Sequence, residues 1–219
     1  MANEVRGEGA SATMRVAVVG AGTMGGGIAT LLLMNGHDVT VYAPSEDALA
    51  GATRRAARRN DEAVLAARLQ LTQELAVAAR GADFVIEAVP ERLELKRAIF
   101  EELHAAAPPH AVLATNTSEL SVTAIAAATG RPEQVVGMHW FNPPERMELV
   151  EIVRGVRTSD ATLALTQRLA QSCGKTTVTV LDRQGFVTTR AVAALLLEGV
   201  RMLEVGVASP EYIDTAGKL

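Results

Sequence analysis

Cysteine is nearly absent from this chain, with Cys173 standing alone. One thiol excludes an intramolecular disulfide framework and points to a reducing, cytoplasmic setting. Aromatic residues are scarce too, at 3% of 219, which leaves little with which to stack nucleobases. A net charge of −4 lacks the basic excess of a dedicated nucleic-acid binder. No apolar run is long or uninterrupted enough to span a membrane, so no membrane partner is expected. The residues show no metal-ligand spacing, no nucleophile elbow, and no Walker lysine after the glycines. Residues 1–13, MANEVRGEGASAT, have no apolar core and so are not a secretory signal; they are read as a disordered tail. What remains is 48% hydrophobic and 21% charged, a globular chain with ample core for one large domain, or one domain and a fragment.

The chain is organised around Met14 to Asn35, MRVAVVGAGTMGGGIATLLLMN. A short Val-rich run reads as a strand buried on both faces, as in a parallel sheet. Gly20, Gly22 and Gly25 follow at G-x-G-x-x-G spacing, and Met24 to Asn35 is apolar at helical spacing up to Gly36. Gly20 suits the tight turn, Gly22 the close approach of a pyrophosphate, and Gly25 the packing of helix on strand. The helix N-terminus, at Thr23 and Met24, offers free N–H groups and positive dipole to phosphates. With a second strand at Asp38 to Tyr42, the context is that of a dinucleotide site; a glycine-rich turn without ligand is the bland alternative.

A helix is expected from about Asp47 to Asn60, capped by Ser45. It carries Arg54, Arg55, Arg58 and Arg59, two pairs a turn apart: either a solvated face, or a landing place for an anionic group such as the phosphates of a CoA or carrier arm. Leu69 to Leu71 reads as a short strand and Glu74 to Arg80 as a short helix. Asp83 to Val89 is a buried strand, Glu91 to His104 a helix, Ala111 to Thr115 a strand, and Val122 to Ala128 a short helix. This alternation predicts an α/β fold with a parallel, doubly wound sheet. His37, His104 and His110 fall at element ends and are expected to face solvent.

The pattern changes at Val135 to Phe141 and Met147 to Val153, which are joined by NPPER with no helix between. So short a link makes the strands antiparallel neighbours. A symmetric hairpin centred on Glu145 sets His139 opposite Glu151, on one face. A His facing a Glu is the minimal general-base unit; a core histidine bonded to backbone is the alternative for His139 alone. Glu151 among Leu149, Val150, Ile152 and Val153 is costly to bury unless paired. A helix from Ser159 to Ser172, a strand from Lys175 to Val180, a long helix from Thr188 to Val205 and another begun at Ser209-Pro210 complete the chain.

From about Met14 to Leu219 the chain resembles the 3-hydroxyacyl-CoA dehydrogenases, including 3-hydroxybutyryl-CoA dehydrogenases. The resemblance rests on GAGTMGGGIA at 20–29, EAVPERLELK at 87–96, TNTSEL at 115–120, HWFNPPERMELVE at 139–151, GKTTVTVLDRQGF at 174–186 and PEYIDTAGKL at 210–219. It implies NAD as cofactor, bound at the glycines with Glu91, Lys96 and Asn116 alongside. It implies His139 as base, Glu151 as its orienting carboxylate, Ser118 bonded to the substrate oxygen, and Asn142 placing substrate and nicotinamide. The implied fold is a Rossmann-like, NAD-binding domain whose doubly wound sheet has parallel strands followed by antiparallel ones (residues 14–184), then an all-α domain that closes the cleft and makes a dimer (185–219 being its first helices).

Three departures stand out. Ala43 replaces the acidic residue that would hold the adenosine ribose, so NAD use with weakened discrimination against NADP is expected. Thr189 replaces an Asn after Gly185-Phe186. The sequence stops at the second helix of the α-domain, and 50–69 is short. The expected activity is therefore NAD-dependent oxidation of a 3-hydroxyacyl thioester, or the reverse reduction of a 3-oxoacyl thioester, on CoA or an acyl carrier protein. Alternatives are a scaffolding dinucleotide-binding module without turnover and another hydroxy-acid dehydrogenase of the superfamily. The helix Ala191 to Val205, apolar around much of its girth, predicts a homodimer, with turnover below that of full-length relatives.

Overall fold

The fold grows from a strand with no polar side to spare. Arg15–Val19 (β1) is buried from Val16 onward, because strands pair on both of its edges and helices cover both faces. In this computed structural model, which describes residues 13–218, one eight-stranded sheet runs through the molecule in the order β3-β2-β1-β4-β5-β6-β7-β8. The tail expected over residues 1–13 lies, but for Thr13, outside the described residues. The strands are β2 (Asp38–Tyr42), β3 (Leu69–Thr72), β4 (Phe84–Glu87), β5 (Val112–Thr115), β6 (Val135–Trp140), β7 (Leu149–Arg154) and β8 (Thr176–Leu181). The first six in chain order are parallel; β6 pairs antiparallel with β7, and β8 runs parallel to β7. The last two strands therefore oppose the rest, as the resemblance implied.

The helices are α1 (Thr23–Met34), α2 (Glu46–Ala56), α3 (Glu62–Arg68), α4 (Leu75–Ala79), α5 (Leu93–Ala106), α6 (Val122–Ala126), α7 (Asp160–Ser172), α8 (Thr188–Glu204) and α9 (Pro210–Ala216). The expected helix 47–60 ends early, at Ala56. Asn60 turns its amide back onto the Ala56 carbonyl, and a separate helix, α3, unforeseen in the sequence, begins after Asp61. Residues of alternate parity sort into two cores. One, under α1, α2 and α7, takes Val18, Leu32, Val41, Met138, Trp140 and Ile152. The other, under α4, α5 and α6, takes Val19, Val85, Phe100, Leu113, Val153 and Phe186.

His37 corrects an expectation. It is buried, at 1% exposure, not solvent-facing: the Met14 N–H donates to its Nδ1 at 3.2 Å and its Nε2 meets Ser172 Oγ at 2.9 Å. It thus ties the start of β1 to the end of α7. His104 and His110 are exposed, as expected. No helix among the described residues is long and apolar enough to cross a membrane.

Candidate active site

The glycine turn is built by exclusion. Gly20 has φ +112°, and a Cβ there would lie 2.7 Å from the Ala88 carbonyl oxygen. At Gly25 a Cβ would sit 1.8 Å from the Gly20 carbonyl oxygen, so α1 can press on the turn only without a side chain. Gly22 differs: a Cβ would meet nothing within 4 Å. Protein packing does not require glycine there, whereas a ligand lying over the turn would. No side chain caps α1, so its first-turn N–H groups, from Thr23 onward, lack intrahelical partners. The turn sits at the carboxyl ends of β1 and β4, where the sheet order reverses, the usual crevice for a dinucleotide in such sheets. These residues fit NAD. Ala43, at the end of β2, is buried at 2% exposure and brings no charge to this crevice.

Residues after β4 and β5 form a second group. Glu87 and Lys96 are both buried and paired at 2.7 Å. Thr115 Oγ1 donates to the other Glu87 oxygen at 2.7 Å. Lys96 also reaches Glu91 at 3.2 Å, so its ammonium faces two carboxylates rather than open crevice. Glu91 accepts from the Thr117 hydroxyl and from the Ser118 N–H at 2.9 Å. Its place is thus under the turn that presents the exposed Ser118. Asn116 accepts from the Trp140 N–H at 2.9 Å, tying the end of β5 to β6 one residue past His139.

The hairpin register puts His139 opposite Glu151. His139 Nδ1 lies 2.7 Å from Glu151 Oε2, with Glu151 fully buried and the His139 side chain 6% exposed. The imidazole leans on Phe141 and Phe186, at ring centroid distances of 4.6 and 5.7 Å. Burial pushes the Glu151 carboxyl up, but hydrogen bonds from His139 and Thr188 outweigh it and leave it below its ordinary value. An ionised carboxylate only accepts, so Nδ1 carries a proton and the neutral ring has its lone pair on Nε2.

The link between β6 and β7 is anchored at three points, none of them foreseen in the sequence. Pro144 and Glu145 lie on α1 where a Cβ on Gly27 would collide with Pro144 at 2.8 Å. Arg55 Nε bonds Glu145 at 2.9 Å, and Arg55 also donates to the Thr23 carbonyl at 3.1 Å. Lys175 Nζ donates to the carbonyls of Pro144 and Met147 at 2.7 and 2.8 Å. Exposed Asn142, joined to Pro143 by a cis peptide, projects from this link. Nothing local in the sequence pairs Arg55 on α2 with Glu145 in the link, and a partner 90 residues away cannot be chosen from sequence. Arg54, Arg55, Arg58, Arg59 and Arg146 surround a cleft of about 690 Å³ that opens on Gly22 and Thr23. Metal chemistry has no donor set here: no cluster of three His, Cys, Asp or Glu occurs among the described residues.

Comparison with known proteins decides the family. The 3-hydroxyacyl-CoA dehydrogenase NAD binding domain matches residues 15–183, and the C-terminal domain of the same family matches 185–219. The chain belongs to the 3-hydroxyacyl-CoA dehydrogenase family. As such it is an NAD-dependent oxidoreductase. A probable 3-hydroxybutyryl-CoA dehydrogenase of Deinococcus radiodurans is 38% identical over 94% of this chain and 78% of its own. The 3-hydroxyadipyl-CoA dehydrogenase of Escherichia coli is 42% identical over 92% of this chain and 45% of its own. In three dimensions, (S)-3-hydroxybutyryl-CoA dehydrogenase PaaH1 of Ralstonia eutropha superposes with TM-score 0.88 at 35% identity, covering 95% of this chain and 77% of that one.

Proposed function

We propose that this dehydrogenase oxidises 3-hydroxyacyl thioesters, and reduces 3-oxoacyl thioesters, with His139 as general base and acid. The observation that carries the reading is the buried His139–Glu151 pair, which leaves Nε2 as the free basic atom. In the oxidative direction Nε2 takes the C3 hydroxyl proton, and Glu151 stabilises the imidazolium that forms. Bound NAD supplies the hydride acceptor. Ser118, on the turn that Glu91 holds, bonds the substrate oxygen, and Asn142 positions the thioester beside it. Gly20, Gly22, Thr23, Met24 and Gly25 cradle the pyrophosphate, with Asn116, Glu91 and Lys96 shaping the nicotinamide side.

The arginine-lined cleft beside Gly22 suits the phosphates of the thioester's carrier, since guanidinium groups match phosphate geometry. Both CoA and an acyl carrier protein present such phosphate. Residues 14–184 are the dinucleotide unit and 185–219 begin the helical one, through which two copies pair. Relatives named for 3-hydroxybutyryl-CoA and 3-hydroxyadipyl-CoA set the substrates to try first.

The test is NADH oxidation with acetoacetyl-CoA and with acetoacetyl-acyl carrier protein, for wild type and His139→Ala. Turnover on either that falls by roughly 10²–10⁴-fold in the variant supports the reading. Tight NADH binding with no turnover on any 3-oxoacyl thioester, in wild type, would instead favour a scaffolding module.

A further inference from the structure

Glu151 holds more than His139. The Val187 and Thr188 N–H groups donate to its Oε1 at 3.1 and 3.0 Å. The Thr188 hydroxyl donates to Oε2 at 2.8 Å, the same oxygen that His139 Nδ1 meets at 2.7 Å. A buried strand carboxylate therefore caps the N-terminus of α8, a 17-residue helix with no buried side chain of its own. Phe186, at φ +47°, turns the chain so that the first N–H groups of α8 aim at the carboxylate while its own ring packs beside His139.

We propose that Thr188 is a positioning residue that couples the seating of α8 to the base strength of His139. Two donors share Oε2, so each weakens the other's hold on its electron density. With the Thr188 hydroxyl in place, Oε2 is a poorer acceptor for the imidazolium, and His139 gives up its proton more readily. When α8 lifts away, all three α8 donors leave Glu151 together. The carboxylate then has only His139 as partner and holds the imidazolium more strongly. Docking of the helical segment thus sets the histidine's proton affinity as well as the shape of the site.

Few other charges bear on this pair. The register neighbour of Glu151 on β8 is Val178, and β6 contributes His139 alone. Along α8 the nearest charge is exposed Arg190, which lines a separate cleft with Arg183 and Glu119.

The proposal rests on His139 being the base, and its test separates the two ideas. Thr188→Val keeps the shape and deletes the hydroxyl. In the direction of 3-hydroxyacyl oxidation, where His139 must be unprotonated, the acidic limb of the pH profile of kcat/KM is expected to move up by roughly 0.5–1 unit, since a hydrogen bond to a charged group carries enough energy for such a shift. KM for NAD should hold, and Thr188→Ser should restore the wild-type profile. As a second readout, Glu151→Gln should speed hydrogen exchange at the Val187 and Thr188 amides. An inactive His139→Ala together with an unmoved pH profile in Thr188→Val overturns the coupling alone. Full turnover in His139→Ala overturns the base assignment, and the coupling with it.

Discussion

Glu151 is fully buried, and four donors meet it, so its charge is satisfied only by their geometry. Removing that charge while keeping the shape tests its role. Glu151→Gln is expected to lower kcat by roughly 10²-fold or more with KM little changed, as for an interaction made stronger in the transition state; equal kcat in variant and wild type, by steady-state kinetics, would contradict it. Ala43 offers a second test at this scale. Its Cβ is buried, so Ala43→Asp strands a carboxylate unless ribose hydroxyls meet it. The variant should melt below wild type without ligand, yet gain more from saturating NADH; a thermal-shift series in which NADPH protects it as well as NADH would defeat the idea. The His139–Glu151 pair was legible in the sequence because two prolines fix where the hairpin turns, and strand alternation then fixes who faces whom. Lys96 and His37 were not legible as buried groups. Their partners lie on other elements, Glu87 on a strand and Ser172 135 residues away, and neither local pattern nor spacing points to them.

Elements carry the glycine logic. Gly22→Ala adds a methyl where nothing lies within 4 Å, whereas Gly25→Ala drives one into the backbone at 1.8 Å. The first should keep its melting temperature and weaken NADH by roughly tenfold. The second should lose about 1–3 kcal/mol of stability as well. Calorimetric titration beside thermal melts separates them, and unchanged NADH affinity in Gly22→Ala would remove the turn from the cofactor site. His37 makes the join between β1 and α7 sensitive to acid. Burial lowers its proton affinity below the ordinary value, with nearby Arg68 adding to that and Asp38 opposing it. The unfolded chain takes up a proton near pH 6.5 that the folded histidine refuses, so folded stability is full above that value. It declines as pH falls from there toward the lowered folded value. Melting curves between pH 5 and 8 should show this loss, and His37→Gln should flatten it; an unaltered slope in the variant assigns the effect elsewhere. The parallel, doubly wound sheet was readable from the βαβ alternation. The break between α2 and α3 was not, because it rests on Asn60 folding its amide back onto the Ala56 carbonyl, while the residues on either side individually suit one helix.

At the scale of the whole molecule the two ends differ in kind. The central strands β4, β5 and β6 are buried on both faces, whereas α8 buries no side chain: Leu195, Leu196 and Leu197 are 73%, 67% and 58% exposed. Val192, Leu195, Leu196, Val200 and Leu203 recur at three- and four-residue steps, the stripe of a helix that packs against something. Exposed Val205, Val207 and Tyr212 extend the apolar surface toward α9. Such a surface exceeds what soluble monomers commonly leave in water. A second copy supplies a matching stripe with no new chemistry, and a two-fold arrangement would bury both at once. The protein is expected to run at twice its monomer mass in light scattering at micromolar concentration. Leu196→Lys with Val200→Lys should return it to a monomer that still binds NADH, because the glycine turn belongs to a different part of the sheet. Turnover then reports on whether pairing matters to chemistry. If α8 must be held down for Thr188 to share Glu151 with His139, the monomeric double variant should also shift its pH profile upward, as Thr188→Val does. A monodisperse wild-type monomer would break that chain of inference at its first link, and a monomeric double variant with an unshifted profile at its last.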